Sequence, residues 1–305
     1  MAEAEDHGFS YEAFGLRFRS DLRLPELSPA AEDARVPDVI IETGPVPARL
    51  EGAADLPPGM QVAGRRFQLD VPAARYRVSD GRLIRVDPRP GVAAGEVRLP
   101  LLGTVMGALC HQRPQLPLHA GAMLVRGRAV VFAGPTGAGK STLAARLRSR
   151  GRSVLADDLC PVGFDGRGAV SVAAGVGRVR LRSDSPALQE LAAHELLTRD
   201  AAGRAVLPLA RPPDPGPWPL WRLYRLAPGG VGPPRIAPLA GPEAVAAVLA
   251  EVYRWPIAVA MTLAPARFAQ VVALARACEV FEAAFSHHGD APDSLVDALE
   301  RHLDS

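Results

Sequence analysis

The chain has 305 residues, of which 48% are hydrophobic, and its 35 Lys and Arg residues against 33 Asp and Glu residues give a formal net charge of +2. This length gives room for one large domain or two modest ones, and the apolar share is sufficient for a buried core. The nearly neutral charge gives no electrostatic case for binding nucleic acid or a membrane surface, so we expect neither partner.

The cysteines and the N-terminus favour a cytoplasmic protein. Cys110, Cys160 and Cys278 are far apart in the chain and form no metal or redox motif. An odd, sparse set of cysteines suits a reducing compartment. The first ten residues, MAEAEDHGFS, are acidic and contain no apolar core, which argues against a signal peptide.

Residues 1–95 are predicted to form a small β-rich domain. Phe14, Leu16 and Phe18 alternate with glycine and arginine, as in a half-buried strand. Asp80-Gly81 is a strong hairpin signal between two apolar runs. The other predicted strands are Val39–Glu42, Arg66–Val71, Tyr76–Ser79 and Leu83–Val86. This domain could bind a substrate peptide by strand addition, or only pack against the rest of the chain or form an oligomer interface.

Residues 96–305 are predicted to form a second domain, which opens with a helix. Proline is tolerated in the first turn of a helix, so the helix is predicted to begin near Pro100 and to end by Pro114. Its apolar stripe is predicted to be core and consists of Leu101, Leu102, Val105, Met106 and Leu109. A strand carrying His119 is predicted to follow.

A phosphate-binding loop is the most specific motif in the sequence. Gly134–Ser141 reads GPTGAGKS and matches the Walker A pattern G-x-x-x-x-G-K-[ST]. A buried strand is predicted before it at Ala129–Ala133, and a helix after it at Thr142–Arg150, with Gly151 as the C-terminal cap. In such loops, backbone N–H groups and the helix N-terminus face phosphate oxygens. The residues predicted to bind the nucleotide are Gly134, Pro135, Thr136, Gly137, Ala138, Gly139, Lys140, Ser141 and Thr142.

Two side chains of this loop carry most of its predicted chemistry. Lys140 is expected to reach the β- and γ-phosphates, and Ser141 to coordinate Mg²⁺. Lys140 is the only lysine in the chain, which otherwise uses arginine, and this position supports a functional loop. The chain contains no asparagine, which excludes the Asp and Asn metal pair of ordinary protein kinases and the NKxD box of small GTPases.

A pair of carboxylates follows the next predicted strand. Ser153–Ala156 reads as a short strand that ends in Asp157-Asp158. Ligands of α/β folds gather at the carboxyl ends of strands, so both aspartates are expected beside the phosphate loop. One of them can hold Mg²⁺, and the other can accept a proton from an attacking hydroxyl.

The rest of the chain alternates strands, loops and helices. Arg178, Arg180 and Arg182 lie on one face of a predicted strand, where they could meet phosphate or an acidic peptide, or form a solvated face. Residues 203–238 are rich in Pro and Gly and predict a long loop broken by one strand. The remaining predicted elements are a hairpin (Pro161–Phe164 and Ala169–Val172 around Asp165-Gly166), the strand Trp221–Leu226, and helices at Pro186–Arg199, Pro242–Tyr253, Pro265–Phe285 and Ser294–Leu303, the last capped by Asp293.

Several of these segments together resemble the HPr kinase/phosphorylase family. They are Leu118-His119-Ala120-Gly121, the turn at Arg126-Gly127-Arg128, GPTGAGKST, and LADD at Leu155–Asp158. The arrangement is most similar to the HPr-kinase-like proteins of lasso peptide gene clusters. The resemblance implies a P-loop kinase domain of the HPr kinase and PEP carboxykinase type over residues 96–305, with an α/β fold and a mixed sheet, preceded by the small β-rich domain.

The resemblance also implies a reaction and the residues that perform it. These relatives are ATP- and Mg²⁺-dependent kinases that phosphorylate a serine hydroxyl, which favours a serine of a protein or of a ribosomally made precursor peptide as the acceptor. It implies that Asp157 is the base, that Asp158 and Ser141 are on the metal side, and that His119 orients or tunes Asp157. The family's phosphorolysis signature is replaced here by Gly175–Arg182, so we expect no phosphorylase activity. HPr kinases form rings, which makes a homo-oligomer a further expectation.

Two other functions are compatible with the sequence. A small-molecule kinase of the shikimate type also has a phosphate loop, but this chain has adjacent aspartates in place of a DxD motif and a long segment before the loop. A nucleotide-binding regulator without phosphotransfer would require neither the aspartate pair nor His119.

Overall fold

A computed structural model of the chain describes residues 8–31, 35–183, 188, 198–199, 203–209, 216–229, 232–286 and 291–304. The chain divides into two compact units, the first comprising Met1–Arg113 with Arg254–Leu263, and the second Pro114–Tyr253 with Ala264–Ser305. The boundary at Arg113 differs from the one predicted near residue 95. The helical segment after residue 95 packs within the first unit, where the Tyr76 hydroxyl donates a hydrogen bond to the Val97 carbonyl (2.7 Å).

The first described helix spans the predicted domain boundary, and the others follow it. Their bounds are α1 (Ala94–Pro100), α2 (Met106–Gln112), α3 (Lys140–Ser149), α4 (Gly241–Ala250), α5 (Trp255–Ala260), α6 (Ala264–Ala277) and α7 (Ala291–Asp304). A π-helical turn at Leu101–Val105 joins α1 to α2. The apolar stripe predicted from Leu101 to Leu109 is buried, although the helix begins at Ala94 and not near Pro100. None of the helices within the described ranges has the length and apolar character needed to cross a membrane.

The first unit contains a sheet of nine strands among its described residues. They are β1 (Phe9–Ala13), β2 (Leu16–Ser20), β3 (Ser28–Pro29), β4 (Val39–Thr43), β5 (Ala54–Leu56), β6 (Met60–Ala63), β7 (Arg66–Val71), β8 (Ala74–Ser79) and β9 (Leu83–Pro88), in the order β3-β1-β2-β4-β9-β8-β7-β6-β5. The predicted hairpin at Asp80-Gly81 joins β8 to β9. Phe14 is not in a strand: it is buried in the turn between β1 and β2, with a φ of 58°.

The second unit is built on a mixed sheet. Its described strands are β10 (Gln115–Leu118), β11 (Ala120–Val125), β12 (Arg128–Ala133), β13 (Val154–Ala156), β14 (Cys160–Phe164), β15 (Val170–Val172), β16 (Arg178–Leu181), β17 (Thr198–Arg199), β18 (Ala205–Pro208), β19 (Trp218–Pro228), β20 (Arg235–Leu239) and β21 (Glu279–Phe285). The main path runs β10-β14-β15-β19-β12-β11-β13, β21 lies between β19 and β20, and β16, β18 and β17 form a separate small sheet. β19 is parallel to both β12 and β21, so the phosphate loop leaves the sheet at its parallel centre.

Several predicted elements differ in the structure. The helix predicted at Pro265–Phe285 ends at Ala277, because Glu279–Phe285 pairs in parallel with β19 as strand β21. The helix predicted at Pro186–Arg199 lies mostly outside the described residues, but its last two residues pair with β18 as β17. Asp293 does not cap the last helix: it lies in the first turn of α7, with a carboxylate oxygen 3.6 Å from Arg146 Nε.

The core of the second unit surrounds the helix that follows the phosphate loop. Leu143 and Leu147 of α3 are buried in one cluster with Val179 of β16 and Leu299 of α7. Each buried leucine side chain contributes about 1.5–3 kcal/mol relative to an exposed one. The loop is therefore fixed at one end by the sheet and at the other by a helix that is packed on two further elements.

Candidate functional site

The phosphate loop has the strand, turn and helix that its sequence predicts. β12 ends at Ala133, and α3 begins at Lys140 with Gly139 as its N-cap in a left-handed conformation (φ 86°). Gly134 has a φ of 148°, and a Cβ atom there would lie 2.8 Å from the Leu226 carbonyl oxygen. The loop therefore requires glycine at Gly134 both for its backbone conformation and for its close approach to β19.

The helix after the loop ends in the predicted way. Gly151 has a φ of 75°, and its N–H donates to the Arg148 carbonyl (2.9 Å). The next N–H, of Arg152, donates to the Leu147 carbonyl (3.0 Å). These two hydrogen bonds form a Schellman motif, which satisfies the last carbonyls of α3 and confirms the predicted cap.

Lys140 is buried and folded back onto its own loop. Its ammonium donates to the carbonyl oxygens of Gly134 (2.5 Å) and Pro135 (3.2 Å). Burial lowers the pKa of Lys140, and the negative charges of Glu251 and the two aspartates oppose that shift. A buried cation held by two neutral carbonyls can exchange these partners for phosphate oxygens, because charged acceptors form the stronger hydrogen bonds.

Asp157 lies directly beside the serine of the loop. The Ser141 hydroxyl donates to Asp157 Oδ1 (3.0 Å), and the Arg180 backbone N–H lies 3.2 Å from Asp157 Oδ2. The residue is only 6% exposed. Burial, assisted by the negative charge of Asp158, raises the pKa of Asp157 to about 6, against the opposing effects of Arg180 and Ser141. Asp157 is thus a buried carboxylate in direct contact with the hydroxyl of the loop serine.

Asp158 contacts the His119 ring and the Arg180 guanidinium. It has a φ of 77°, a left-handed conformation that Asp tolerates better than most residues. His119 Nδ1 lies 3.3 Å from Asp158 Oδ1 and 3.1 Å from the Asp158 carbonyl oxygen. The other carboxylate oxygen forms an ion pair with the Arg180 guanidinium. His119 was predicted to orient or tune Asp157, whereas its ring contacts Asp158 in the structure.

His119 is placed by a chain segment that follows α4. It lies between β10 and β11 and not within a strand, and its backbone N–H donates to the Glu251 carbonyl (2.7 Å). Its ring centroid is 6.0 Å from that of Tyr253. Burial and the nearby charge of Lys140 lower the pKa of His119, which favours a neutral ring near pH 7. A neutral imidazole that donates through Nδ1 to the Asp158 carbonyl leaves Nε2 as an acceptor.

Three residues of this site were not predicted as site residues. Arg180 contacts both aspartates, and Glu251 and Tyr253 lie against His119. Arg180 is the middle one of three alternating arginines that were predicted to share one face of a strand. The other two differ in exposure: Arg178 is buried, whereas Arg182 is exposed. Glu251 could have been noticed in the sequence as an acidic residue within an apolar segment, and its side chain is buried (5% exposed).

The residues near the loop fit a Mg²⁺–nucleotide complex. The adjacent Ser141 hydroxyl and Asp157 carboxylate are oxygen ligands of the kind Mg²⁺ prefers. Within the described residues there is no group of three or more His, Cys, Asp or Glu side chains that could hold a metal ion. Mg²⁺ is usually bound through one or two protein ligands, substrate phosphates and water. Asp158 was predicted on the metal side with Ser141, but the aspartate hydrogen-bonded to Ser141 is Asp157.

Comparison with known proteins finds distant likeness to solved structures. No protein-family model matches the chain, and no curated protein matches it. Among solved structures, the chain is similar to the Hpr(Ser) kinase/phosphatase from Coxiella burnetii, with a TM-score of 0.34 and 11% sequence identity, over 61% of this chain and 95% of that one. At this TM-score and identity, nothing about activity follows from the likeness.

Proposed function

We propose that this protein is an ATP- and Mg²⁺-dependent kinase that transfers the γ-phosphoryl group to a serine hydroxyl of a peptide or protein. One observation carries the proposal. Adjacent carboxylates serve two different sides of one site: Asp157 is hydrogen-bonded to the loop serine (3.0 Å), and Asp158 is held by His119 (3.3 Å). Neighbouring carboxylates in different environments are a common basis for separate roles in catalysis.

The phosphate side of the site would bind the nucleotide. The loop from Gly134 to Ser141 supplies backbone N–H groups, and Lys140 supplies a buried ammonium. Ser141 and Asp157 would hold Mg²⁺, directly or through water. Bound Mg²⁺ neutralises charge on the phosphate oxygens during transfer. The preference for ATP over GTP is carried by the family resemblance of the loop and aspartate segments.

The acceptor side would position and deprotonate the hydroxyl. Asp158 can accept a proton from serine, and His119 fixes the orientation of its carboxylate. The contact between Ser141 and Asp157 supports an assignment in which Asp158 is the base and Asp157 is on the metal side, the reverse of the roles implied by the resemblance. Phosphoryl transfer depends mainly on positioning and charge neutralisation, which this division of the site supplies.

The acceptor we propose is a serine of a ribosomally made precursor peptide. This choice follows from the resemblance to the HPr-kinase-like proteins of lasso peptide clusters. The first unit is a β-sheet whose outermost strands, β3 and β5, each have one free edge among the described residues, and a peptide could pair with such an edge. Phosphorolysis is not part of the proposal, because residues 175–182 do not carry the corresponding signature.

Mass spectrometry of a serine-containing precursor peptide, incubated with the protein and Mg-ATP, tests the proposal. We expect phosphate to be added to serine, and none to be added when that serine is replaced by alanine or when the protein carries Asp158→Asn. Transfer to small alcohols alone would favour a small-molecule kinase. ATP binding without transfer to the peptide, to HPr or to small alcohols would contradict a kinase and favour a nucleotide-binding regulator.

A further inference from the structure

Arg180 contacts both aspartates of the site. Its backbone N–H lies 3.2 Å from Asp157 Oδ2, and its guanidinium forms an ion pair with Asp158 Oδ2. The first contact holds the Arg180 backbone next to the Asp157 carboxylate, which accepts a hydrogen bond from Ser141. The second occupies the carboxylate proposed as the base. The backbone of Arg180 therefore lies on the proposed metal side of the site, and its guanidinium lies on the proposed acceptor side.

The ion pair with Arg180 limits what Asp158 can do in the nucleotide-free protein. A carboxylate bound to a guanidinium has one oxygen already occupied, so that oxygen is not available to a substrate hydroxyl. His119 contacts the other oxygen of the same carboxylate. For Asp158 to accept a proton from a hydroxyl, one of these partners must be exchanged for the substrate.

The side chain of Arg180 is suited to such an exchange. It is 19% exposed, so it is neither locked in the core nor free in solvent. Its guanidinium carries a permanent charge and has a planar set of donors that fits phosphate as well as carboxylate. The triphosphate that the loop and Ser141 would bind carries more charge than one carboxylate, and it would compete for the guanidinium.

We propose that Arg180 is a γ-phosphate-binding residue that leaves Asp158 when ATP binds, and so frees Asp158 to act on the acceptor hydroxyl. This inference rests on the proposed kinase function and adds a substrate-binding residue to it. In the transfer, the serine oxygen forms a bond to the γ-phosphorus, and the bond between that phosphorus and the β–γ bridging oxygen breaks. ADP leaves with the electron pair, and the serine proton passes to the Asp158 carboxylate. Arg180 stabilises the charge on the oxygens of the transferred group.

Titration calorimetry with two nucleotides tests the proposal directly. Mg-ADP and the Mg complex of a non-hydrolysable β,γ-imido analogue of ATP differ in the γ-phosphate, so the ratio of their affinities measures contacts to that group. We expect Arg180→Gln to reduce analogue affinity, relative to ADP affinity, by about tenfold to a hundredfold, the effect of losing a hydrogen bond to a charged group. Arg182→Gln is the matched control on the same segment and should leave the ratio unchanged, because Arg182 is exposed.

Arg180→Lys is a second, more conservative variant that keeps the test valid if Arg180→Gln does not fold. It keeps the positive charge but loses the planar pair of donors, so we expect it to reduce the ratio by less than Arg180→Gln does. An unchanged ratio in a folded Arg180 variant, or an equal loss of affinity for both nucleotides, would overturn the inference and leave Arg180 as a structural partner of the aspartates. Wild-type protein that binds neither nucleotide would overturn the proposed function, and the inference with it.

Discussion

The two sides of the site are built in different ways. The phosphate side is almost contiguous: Gly134–Ser141 supplies the loop, the lysine and the serine. The proposed acceptor side is assembled from separate segments, with His119 after β10, Asp158 after β13 and Arg180 on β16. Local spacing brings the loop, lysine and serine of the first side together, whereas the residues of the second side meet only when the sheet has formed. The two sides should therefore respond differently to substitution.

The aspartate pair lies at the junction between the two sides. Asp157 is buried and accepts a hydrogen bond from the Ser141 hydroxyl, and burial raises its pKa to about 6. Asp158 is next to it in sequence but is reached by His119 and Arg180. Asp158 itself has a left-handed backbone conformation, with a φ of 77°, and its contacts differ from those of Asp157. The difference between the sides can thus be tested by changing one carboxylate at a time.

The largest effect is expected from Asp158→Asn on the acceptor side. Asparagine also tolerates a left-handed backbone, so the turn should be preserved while the proton acceptor is lost. We expect kcat to fall by about 10²–10⁴-fold, the usual contribution of general acid–base catalysis, with Mg-ADP affinity unchanged. Steady-state kinetics and calorimetry measure the two quantities. A variant with nearly normal kcat would show that Asp158 is not the base.

Lys140→Met should act on the phosphate side and impair both binding and transfer. It removes the only lysine and the ammonium that now contacts the carbonyls of Gly134 and Pro135. We expect a loss of about 10²–10³-fold in kcat, typical of removing one preorganised electrostatic contact, together with weaker nucleotide binding. Thermal unfolding serves as the control, since the variant should remain folded. Retained ATP affinity and transfer would contradict the role assigned to this side.

Asp157→Asn should change the pH dependence of stability. The pKa of Asp157 is raised from its ordinary 3.8 to about 6, so ionisation destabilises the folded state as the pH rises through that value. The difference between the two pKa values corresponds to about 3 kcal/mol. Between pH 4 and pH 8, the free energy of unfolding of the asparagine variant should rise by about this amount relative to that of the wild type. Loss of the acceptor for the Arg180 N–H partly offsets this at every pH.

Urea unfolding of both proteins across this pH range measures the difference. The two free energies of unfolding should move apart in favour of the variant as the pH increases. A constant difference would mean that Asp157 has an ordinary pKa in the folded protein, and the contrast between the two carboxylates would then lack its electrostatic basis.

A smaller effect is expected when the loop glycines are compared. Gly134→Ala adds a Cβ atom 2.8 Å from the Leu226 carbonyl oxygen, whereas a Cβ at Gly137 meets no atom within 4 Å. Both residues have positive φ, so both substitutions strain the backbone. Gly134→Ala should be the more destabilising by about 1–3 kcal/mol, the usual range for overpacking. Equal losses in thermal unfolding would contradict the close packing of the loop on β19.

The sequence predicted the phosphate side closely, since its signals are local. The strand, the loop, the helix and the cap at Gly151 all appear within one or two residues of their predicted positions. The hairpins at Asp80-Gly81 and Asp165-Gly166 also form. In each case, glycine or a short turn motif decides the conformation without help from distant residues.

Predictions that depended on distant residues succeeded less well. Glu279–Phe285 contains alanine and glutamate, which favour helix, yet it becomes strand β21 because β19 and β20 provide partners on both sides. The pairing of His119 with Asp158 depends on a left-handed turn that the letters Asp-Asp do not specify. Tertiary contacts outweigh local propensity in both cases.

The most direct test of the account measures how Mg²⁺ affects nucleotide binding in the two aspartate variants. ADP affinity is determined by calorimetry with and without Mg²⁺ for wild type, Asp157→Asn and Asp158→Asn, and phosphotransfer to the peptide is followed in parallel. We predict that Asp157→Asn loses most of the gain in affinity due to Mg²⁺, and that Asp158→Asn keeps this gain but transfers no phosphate. The opposite pattern, with the Mg²⁺ effect lost only in Asp158→Asn, would contradict the division of the site into a metal side at Asp157 and an acceptor side at Asp158.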